Sequence, residues 1–248
     1  MTAPLRLAFL AVALAIASAV GTQAVAQTFT PGQQEAIRDI VRRYLLANPD
    51  VIVEALEILE ERQKAQASLD QAAVLRQRLP ELRDDPQTPS FGPEGADVAI
   101  VEFFDYRCTY CRQVVAPLAE LLRSDGRVRI VYKELPILGP DSVVAARAAL
   151  AAHRQGAYRA FHAALMARRG SFDDAAIAAL ATELGLDAAR LRADMERPEI
   201  AAQIERNRAL ARELGIRGTP AFVIGTEIVP GAIDLATMRS LVAKARQR

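Results

Sequence analysis

Two cysteines, Cys108 and Cys111, are the only ones in a chain of 248 residues, and they stand in a C-x-x-C arrangement. The apolar run 98–104 ahead of them predicts a buried strand, and the segment 109–124 behind them predicts a helix. At such a junction the leading sulfur lies over unpaired backbone N–H groups at the positive end of the helix dipole, so we expect a lowered pKa for Cys108. Three residues are about one helical turn, which lets the second sulfur reach the first and close a disulfide. We therefore predict that Cys108 attacks and that the less accessible Cys111 resolves the mixed disulfide.

Charged neighbours act on the same thiol. Arg107 and Arg112 place positive charge near Cys108, while Asp105 opposes them. Positive charge favours a thiolate, so the arginines are expected to lower the pKa of Cys108 further.

Two other uses of a cysteine pair compete with redox chemistry. A passive disulfide across about four residues stabilises by roughly 2 kcal/mol in the chain-entropy model, against nearly 5 kcal/mol for a loop of about 100 residues. This spacing is therefore a poor choice for the only crosslink of the chain. The thiolates of Cys108 and Cys111 are also suitable ligands for copper(I), and copper binding without turnover stays open as an alternative. Apart from the redox-active disulfide itself, the sequence predicts no cofactor.

A second motif is Thr219-Pro220, directly before the predicted strand 221–224. Proline is tolerated at the first position of a strand, so a plain loop-to-strand transition is one interpretation. A cis peptide bond is the other, and it would leave the backbone groups of Thr219 free beside the sulfurs.

Glu102 is an acid inside the otherwise apolar run 98–104. A buried carboxylate is costly unless it is paired or functional, so we consider it a candidate for proton transfer. Lys133, in the next predicted strand, is its candidate charge partner. The competing interpretation places Glu102 at an exposed strand position.

The elements that must position these residues follow in the order strand, helix, strand, helical block, two strands and helix. The helical block covers about residues 140–214, and the last strands cover 221–224 and 227–229. This order predicts an α/β sheet with a helical insertion.

An amphipathic helical segment, 27–83, precedes this domain, with a break at Asn48-Pro49. Its apolar stripes require a partner, which is either the main domain or further copies of the chain. The turn-rich stretch 84–95 predicts a linker. The catalytic domain is then expected over 96–248.

Residues 1–26 have the pattern of a signal peptide. Arg6 is their only charge, an uncharged run follows, and small residues at the A-x-A spacing predict cleavage near Ala26. An uncleaved membrane anchor is the alternative. We expect a periplasmic or otherwise exported protein, in which a disulfide can persist. Without Arg6, 30 basic residues face 30 acidic ones, so no net field favours nucleic acid.

The stretch Glu102 to Cys111, the later Thr219-Pro220 and the helical block between them together resemble the DsbA-like branch of the thioredoxin superfamily. The resemblance implies a thioredoxin-like fold over about residues 96–248 and protein clients with thiols or disulfides. It also implies a membrane redox partner that resets the cysteines.

Individual positions take family roles from this resemblance. Cys108 resembles the nucleophile, Cys111 the resolving thiol and Glu102 its proton acceptor. Pro220 resembles the cis-proline, and Thr219 the residue whose backbone pairs with an extended client. Thr109 and Tyr110, which also belong to the client-binding surface, stand where strongly oxidising members have Pro-His. This departure implies a less oxidising disulfide, of isomerase or oxidase type.

The residues from Ile40 to Asp50, followed by Glu54-Ala55-Leu56, resemble the N-terminal segment of ScsC-type proteins. That group is associated with copper tolerance, and the segment can mediate trimerisation. The resemblance therefore implies a homo-oligomer, with a trimer as the expected form.

Overall fold

The computed structural model describes residues 29–247, which divide into two units between Arg62 and Gln63. The predicted signal peptide and its cleavage site near Ala26 lie outside the described residues. Across 29–247, no helix combines the length and the apolarity needed to cross a membrane.

The first unit, residues 29–62, is helical. Helix α1 (Pro31–Ala47) begins with a capping box between Thr30 and Gln33, and α2 (Asp50–Asp84) starts in this unit and continues into the second. The predicted break at Asn48-Pro49 is confirmed, and α1 buries no residue of its own. The exposed apolar side chains of this unit are Phe29, Ile37, Ile40, Val41, Tyr44, Leu46, Ile52, Val53, Leu56, Ile58 and Leu59.

The second unit has the predicted order of strands and helices. After α2 it contains β1 (Ser90–Phe91), β2 (Val98–Phe104), α3 (Thr109–Ser124), β3 (Val128–Glu134), α4 (Pro140–His153), α5 (Tyr158–Ala167), α6 (Asp174–Glu183), α7 (Ala188–Met195), α8 (Pro198–Glu213), β4 (Ala221–Ile224), β5 (Glu227–Pro230) and α9 (Leu235–Arg246). The predicted helical insertion corresponds to α4–α8.

The five strands form one sheet in the order β1-β3-β2-β4-β5. Strands β2 and β3 are parallel, and the other three pairings are antiparallel. All seven residues of β2 are buried, which explains why this strand is a continuous apolar run rather than an alternating one. Its carboxyl end leads directly into residues 105–108, which we call the cysteine loop.

Each face of the sheet has its own apolar core. On one face, which we call the Cys111 face, Ile100, Phe104 and Tyr132 pack with Cys111 and the insertion helices. On the other, the α2 face, apolar residues from β2, β3 and β4 pack with α2 and α8; these residues are Val101, Phe103, Val131, Val223, Leu75, Leu82, Leu210 and Leu214. The sheet is therefore covered on both sides.

The predicted domain boundaries need correction. Leu75 and Leu82, assigned from sequence to the N-terminal segment, are buried against the sheet. The predicted linker 84–95 contains β1, which pairs with β3. Residues 63–95 therefore belong to the second unit, because Leu75 and Leu82 lie in its core and β1 pairs with its sheet.

Candidate functional site

The two sulfurs lie at the junction of β2 and α3. Cys108 is the N-cap residue of α3, and its Sγ accepts a hydrogen bond from the backbone N–H of Cys111 at 3.4 Å. The carbonyl oxygen of Thr219 lies 3.2 Å from the Sγ of Cys108 and accepts its hydrogen bond when the thiol is protonated. Cys111 is fully buried and Cys108 is 6% exposed, so the predicted order of accessibility is confirmed, although Cys108 is itself largely covered.

The two thiols have opposite pKa shifts. A hydrogen bond from the Cys111 side chain is the largest cause that lowers the pKa of Cys108, with further contributions from Thr219 and the N–H groups of Cys111 and Tyr110; the pKa falls to about 5 despite burial. The same hydrogen bond, together with burial, raises the pKa of Cys111. The predicted lowering of the Cys108 pKa is confirmed. One thiol is ionised at neutral pH and the other holds its proton.

The two arginines contribute differently from the sequence-based expectation. The guanidinium of Arg107 pairs with Asp141 at 2.7 Å, and Arg112 donates to the carbonyl oxygen of Tyr106 at 3.0 Å. Hydrogen bonds at the helix N-terminus, rather than these charges, are the leading causes of the low pKa of Cys108.

The Thr219-Pro220 peptide bond is cis, which confirms the second of the two interpretations that the sequence allowed. Thr219 is half-buried, and β4 begins directly afterwards, with Ala221 opposite Phe103 of β2. The fold thus places Thr219 next to Cys108, although the two are 111 residues apart in the sequence. The role of Thr219 in client binding stays a prediction.

Glu102 is buried, with 2% of its surface exposed, so the exposed-strand interpretation is wrong. Burial, followed by the charge of Cys108, raises the pKa of Glu102 to about 8. The carboxyl group is also close enough to raise the pKa of Cys111. It lies on the Cys111 face and lines a small cavity with Tyr132 and His162.

Lys133 is not the partner of Glu102, contrary to the sequence-based prediction. In the β2–β3 register Glu102 faces Tyr132, and successive strand residues point to opposite faces. Lys133 therefore lies on the α2 face. Its Nζ donates to the carbonyl oxygen of Glu81 and to the hydroxyl of Thr88, both at 3.0 Å, and lies 3.6 Å from a carboxylate oxygen of Asp85.

The two residues between the cysteines are exposed. Tyr110 has 63% of its surface accessible, and Thr109 is exposed beside it in the first turn of α3. Both are therefore accessible from solvent, and their role in client binding stays a prediction.

The sequence analysis missed the bracing role of Asp105. This buried carboxylate accepts hydrogen bonds from the N–H groups of Arg107, Ile137 and Leu138 and from the hydroxyl of Ser142, at 2.8–3.0 Å. It therefore ties the cysteine loop to the loop between β3 and α4. An Asp directly after a buried strand is the sequence signal for this bracing role. The sequence-based expectation for Asp105 concerned only the effect of its charge on Cys108.

A second missed feature is a buried polar cluster around Glu134. The hydroxyls of Tyr106 and Tyr158 donate to one carboxyl oxygen of Glu134 at 2.9 and 2.7 Å, and Tyr106 also contacts Nδ1 of His162 at 3.1 Å. Burial raises the pKa of Glu134 and lowers that of His162 to about 3. The cluster fixes Tyr106, two residues before Cys108.

Metal ligands are sparse in the described part of the chain. It contains no group of three or more His, Cys, Asp or Glu side chains placed to hold a metal ion. The copper(I) alternative consequently has two donors within one chain, the sulfurs of Cys108 and Cys111.

A C-x-x-C pair at a helix N-terminus, facing a cis-proline loop, on a sheet of this topology, defines a thioredoxin-like domain. Residues 99–243 match the family of DSBA-like thioredoxin domains, and the chain belongs to that family. Residues 33–66 match the N-terminal domain of the copper resistance protein ScsC. This second match ends close to the boundary between the two structural units, Arg62 and Gln63.

Solved structures agree with this assignment. A thioredoxin-like oxidoreductase from Silicibacter pomeroyi is 46% identical, with a TM-score of 0.66, over 68% of this chain and 98% of that one. The catalytic domain of Proteus mirabilis ScsC is 28% identical, with a TM-score of 0.66, over 71% of this chain and 99% of that one.

Among curated proteins, the Na(+)/H(+) antiporter NhaA of Herminiimonas arsenicoxydans is 30% identical over 174 residues, or 68% of this chain. The chain spans only 28% of that antiporter's length. The similarity therefore concerns one part of a longer protein.

Proposed function

We propose that this protein is an exported thiol-disulfide oxidoreductase that acts on protein clients through Cys108 and Cys111. The observation that carries the proposal is the asymmetry of the two thiols, because Cys108 has a pKa of about 5 while burial and a hydrogen bond hold the proton on Cys111. Family membership supports the same chemistry.

In the proposed cycle, the Cys108 thiolate attacks one sulfur of a client disulfide. A bond forms between Cys108 and that sulfur, and the other client sulfur leaves as a thiolate. Cys111 then loses its proton and attacks Cys108, which releases the client as a second thiolate. The client disulfide is reduced and the Cys108-Cys111 disulfide forms; the reverse sequence oxidises a client dithiol.

The order of these steps follows from the charges. While Cys108 is a thiolate, its hydrogen bond and its charge raise the pKa of Cys111, and its charge raises that of Glu102. Once Cys108 is in a mixed disulfide, both effects disappear. Cys111 then releases its proton more easily, and the pKa of Glu102 falls to the level set by burial, so a larger fraction of its carboxyl groups is ionised and able to accept that proton.

The direction of exchange is proposed to be isomerase or oxidase type. The pKa of Cys108, about 5, lies between about 3.5 for a strongly oxidising member and about 7 for a reducing thioredoxin. The equilibrium potential of the couple against glutathione discriminates the two, since a higher potential favours net oxidation.

Self-association is proposed through the first unit. Its exposed apolar side chains, such as Ile40, Tyr44 and Leu56, have no cover within the described part of one chain. Contacts between copies would bury them, with a trimer as the expected form. Several cysteine pairs would then serve one client, and a membrane partner would reset them.

The pH dependence of alkylation tests the ionisation of Cys108. Between pH 5 and pH 7 we expect its rate to rise only about twofold, because a thiol with a pKa of about 5 is already half ionised at the lower pH. A free cysteine, with an ordinary pKa of about 8.5, gains about a hundredfold over the same interval. Iodoacetamide labelling followed by mass spectrometry measures both.

N-acetylcysteine is the reference thiol in this experiment. The ratio of rates at two pH values removes the effect of limited access to Cys108, so the comparison reports ionisation alone. A hundredfold rise for Cys108, or equal labelling of Cys111, contradicts the proposal. Tight stoichiometric copper(I) binding without reactivation of scrambled ribonuclease would favour the copper alternative instead.

Replacing Glu102 with Gln tests proton transfer. We expect the mixed disulfide with a client to resolve about a hundredfold more slowly, because general base catalysis contributes at least that much. The wild-type advantage should grow with pH up to the pKa that Glu102 has in the mixed disulfide, which lies below about 8 because Cys108 carries no charge there, and disappear as the pH falls and the carboxyl becomes protonated. Rapid acid quenching of the mixed disulfide measures its lifetime.

Glu134→Gln is the matched control for a buried carboxyl group. Gln keeps the oxygen that accepts from Tyr106 and Tyr158, and the lifetime of the mixed disulfide should stay at its wild-type value. If Glu102→Gln also resolves at the wild-type rate across the pH range, Glu102 is not the proton acceptor.

A further inference from the structure

Arg112 is fixed beside the reactive sulfur. It lies in the first turns of α3, where its backbone N–H donates to the carbonyl oxygen of Cys108 at 3.3 Å. Nη2 of its guanidinium donates to the carbonyl oxygen of Tyr106 at 3.0 Å. Its Nε is buried and has no hydrogen-bond partner among residues 29–247. The guanidinium is therefore held against the cysteine loop, and it keeps N–H groups that a ligand can use.

Two further arginines lie near Arg112. Arg107 belongs to the cysteine loop, and Arg169 follows the end of α5, which packs against α3. Burial lowers the pKa of Arg112, the charges of Arg169 and Arg107 lower it further, and the charge of Cys108 opposes them. The three guanidinium groups and the sulfur are therefore close enough to interact. We call Arg107, Arg112 and Arg169 the arginine cluster, and no member of it belongs to the cis-proline loop.

The charge of the arginine cluster is only partly compensated. Arg107 pairs with Asp141 at 2.7 Å. Arg112 and Arg169 make no ion pair with any residue that the structure describes. Asp105 also acts on Arg112, but it is buried and its two carboxylate oxygens already accept four hydrogen bonds. The surface that a ligand meets beside the sulfur is therefore positive.

The sulfur itself is accessible only to a slender partner. Cys108 is 6% exposed, although its thiolate must contact the sulfur that it attacks. Access limits the rate of thiol-disulfide exchange, so a small flexible disulfide reaches Cys108 more easily than a disulfide fixed within a folded protein. Limited access and positive charge together favour a small partner that carries negative charge.

We propose that the arginine cluster binds the carboxylates of a low-molecular-weight disulfide or thiol, of the kind that glutathione represents, while its sulfur exchanges with Cys108. A guanidinium and a carboxylate pair through two parallel N–H···O bonds, which fixes both position and direction. Glutathione carries a carboxylate on either side of its cysteine, so Arg112 and Arg169 can each bind one. The inference rests on the proposed function and adds a second class of substrate to the protein clients.

The reaction oxidises the protein and reduces the small disulfide by two electrons. The Cys108 thiolate attacks one sulfur of glutathione disulfide, a bond forms between these two sulfurs, and the first glutathione leaves as a thiolate. Cys111 then gives its proton to Glu102 and attacks Cys108, which releases the second glutathione as a thiolate. The reverse sequence, with two molecules of glutathione, reduces the Cys108-Cys111 disulfide. A small thiol or disulfide of this kind therefore resets the cysteines directly.

Three small disulfides of different charge test the proposal on the reduced protein. Glutathione disulfide is negative, cystamine is positive and hydroxyethyl disulfide is neutral. The second-order rate constant for formation of the Cys108-Cys111 disulfide is measured by acid quenching. Each constant is divided by that of mercaptoethanol with the same disulfide, which removes the intrinsic reactivity of the disulfide. The ratio of glutathione disulfide to cystamine then reports the charge preference of the site, whatever the ionisation of Cys108.

We expect a normalised ratio of about ten at low ionic strength, falling to about one in about 1 M salt, where the Debye length is about 3 Å. Arg169→Glu should lower the ratio to about one, whereas Arg169→Lys keeps the charge and should retain most of it. Arg112→Gln, which can still donate to the carbonyl oxygen of Tyr106, should lower it about threefold. Arg76→Glu makes the same change of net charge as Arg169→Glu at an exposed position of α2, which covers the other face of the sheet, and the ratio should persist.

The outcomes separate the two proposals. A wild-type ratio near one at low ionic strength, or an unchanged ratio in both Arg169→Glu and Arg112→Gln, shows that the arginine cluster does not bind the substrate, while the proposed function stands if hydroxyethyl disulfide oxidises the protein. An equal fall in Arg76→Glu also overturns the inference, because the effect then belongs to the net charge. If hydroxyethyl disulfide does not react either, the proposed function fails and this inference with it.

Discussion

Replacing Cys108 with Ala abolishes disulfide exchange, with an expected loss of at least about a thousandfold in the rate of client reduction. The remaining thiol, Cys111, is fully buried, and burial, which raises its pKa independently of Cys108, still favours the protonated form. Replacing Cys111 with Ser instead stops the cycle halfway, so that a mixed disulfide between Cys108 and the client accumulates. Non-reducing electrophoresis and mass spectrometry after incubation with scrambled ribonuclease measure both results.

A comparison of Cys111→Ser with Cys111→Ala provides the control. The serine hydroxyl can still donate a hydrogen bond to Cys108, whereas alanine removes the largest cause of its low pKa. The pH at which Cys108 alkylation reaches half its maximal rate should therefore be higher in the alanine variant than in the serine variant. If Cys111→Ser turns over without a trapped intermediate, or Cys108→Ala traps as much client, the assigned roles are wrong.

Deleting residues 29–62 should leave a folded catalytic unit, whereas deleting residues 29–83 should unfold it. The longer deletion removes Leu75 and Leu82 from the core of the α2 face, and two buried leucines are worth about 4–10 kcal/mol by analogy with Leu→Ala changes. That loss is comparable to the whole stability of a domain, about 5–15 kcal/mol. Urea unfolding, followed by circular dichroism, measures the difference.

Point substitutions in α2 test its packing on the sheet without any deletion. Leu82→Ala should reduce the free energy of unfolding by about 2–5 kcal/mol, because the side chain is completely buried. Leu69→Ala, at a position 66% exposed, should change it by no more than about 0.5 kcal/mol. Equal effects at the two positions would contradict the packing of α2 on the sheet.

The shorter deletion also tests self-association. Sedimentation of the protein without residues 29–62 should show a monomer, while exchange with hydroxyethyl disulfide persists. An oligomer of unchanged size would mean that the exposed apolar residues of the first unit do not hold the copies together.

The sequence by itself determined the order of the elements and which residues are candidates for thiol-disulfide chemistry. Local geometry sets the positions of Cys108 and Cys111, because a strand followed by a helix places one sulfur at the N-cap and the next a turn later. The burial of Glu102, which the sequence left open against an exposed strand position, agrees with the apolar residues on both sides of it. These predictions depend on neighbours in the chain.

Tertiary structure decided which distant groups meet. The apolar pattern of α2 changes phase near residue 72, but only packing shows that Leu75 and Leu82 cover the sheet rather than another copy. Lys133 was paired with Glu102 because their strands were correctly expected to be neighbours; the β2–β3 register then placed the two side chains on opposite faces. Register and the choice of packing partner are set by the summed burial of many residues far apart in sequence, which no local pattern contains.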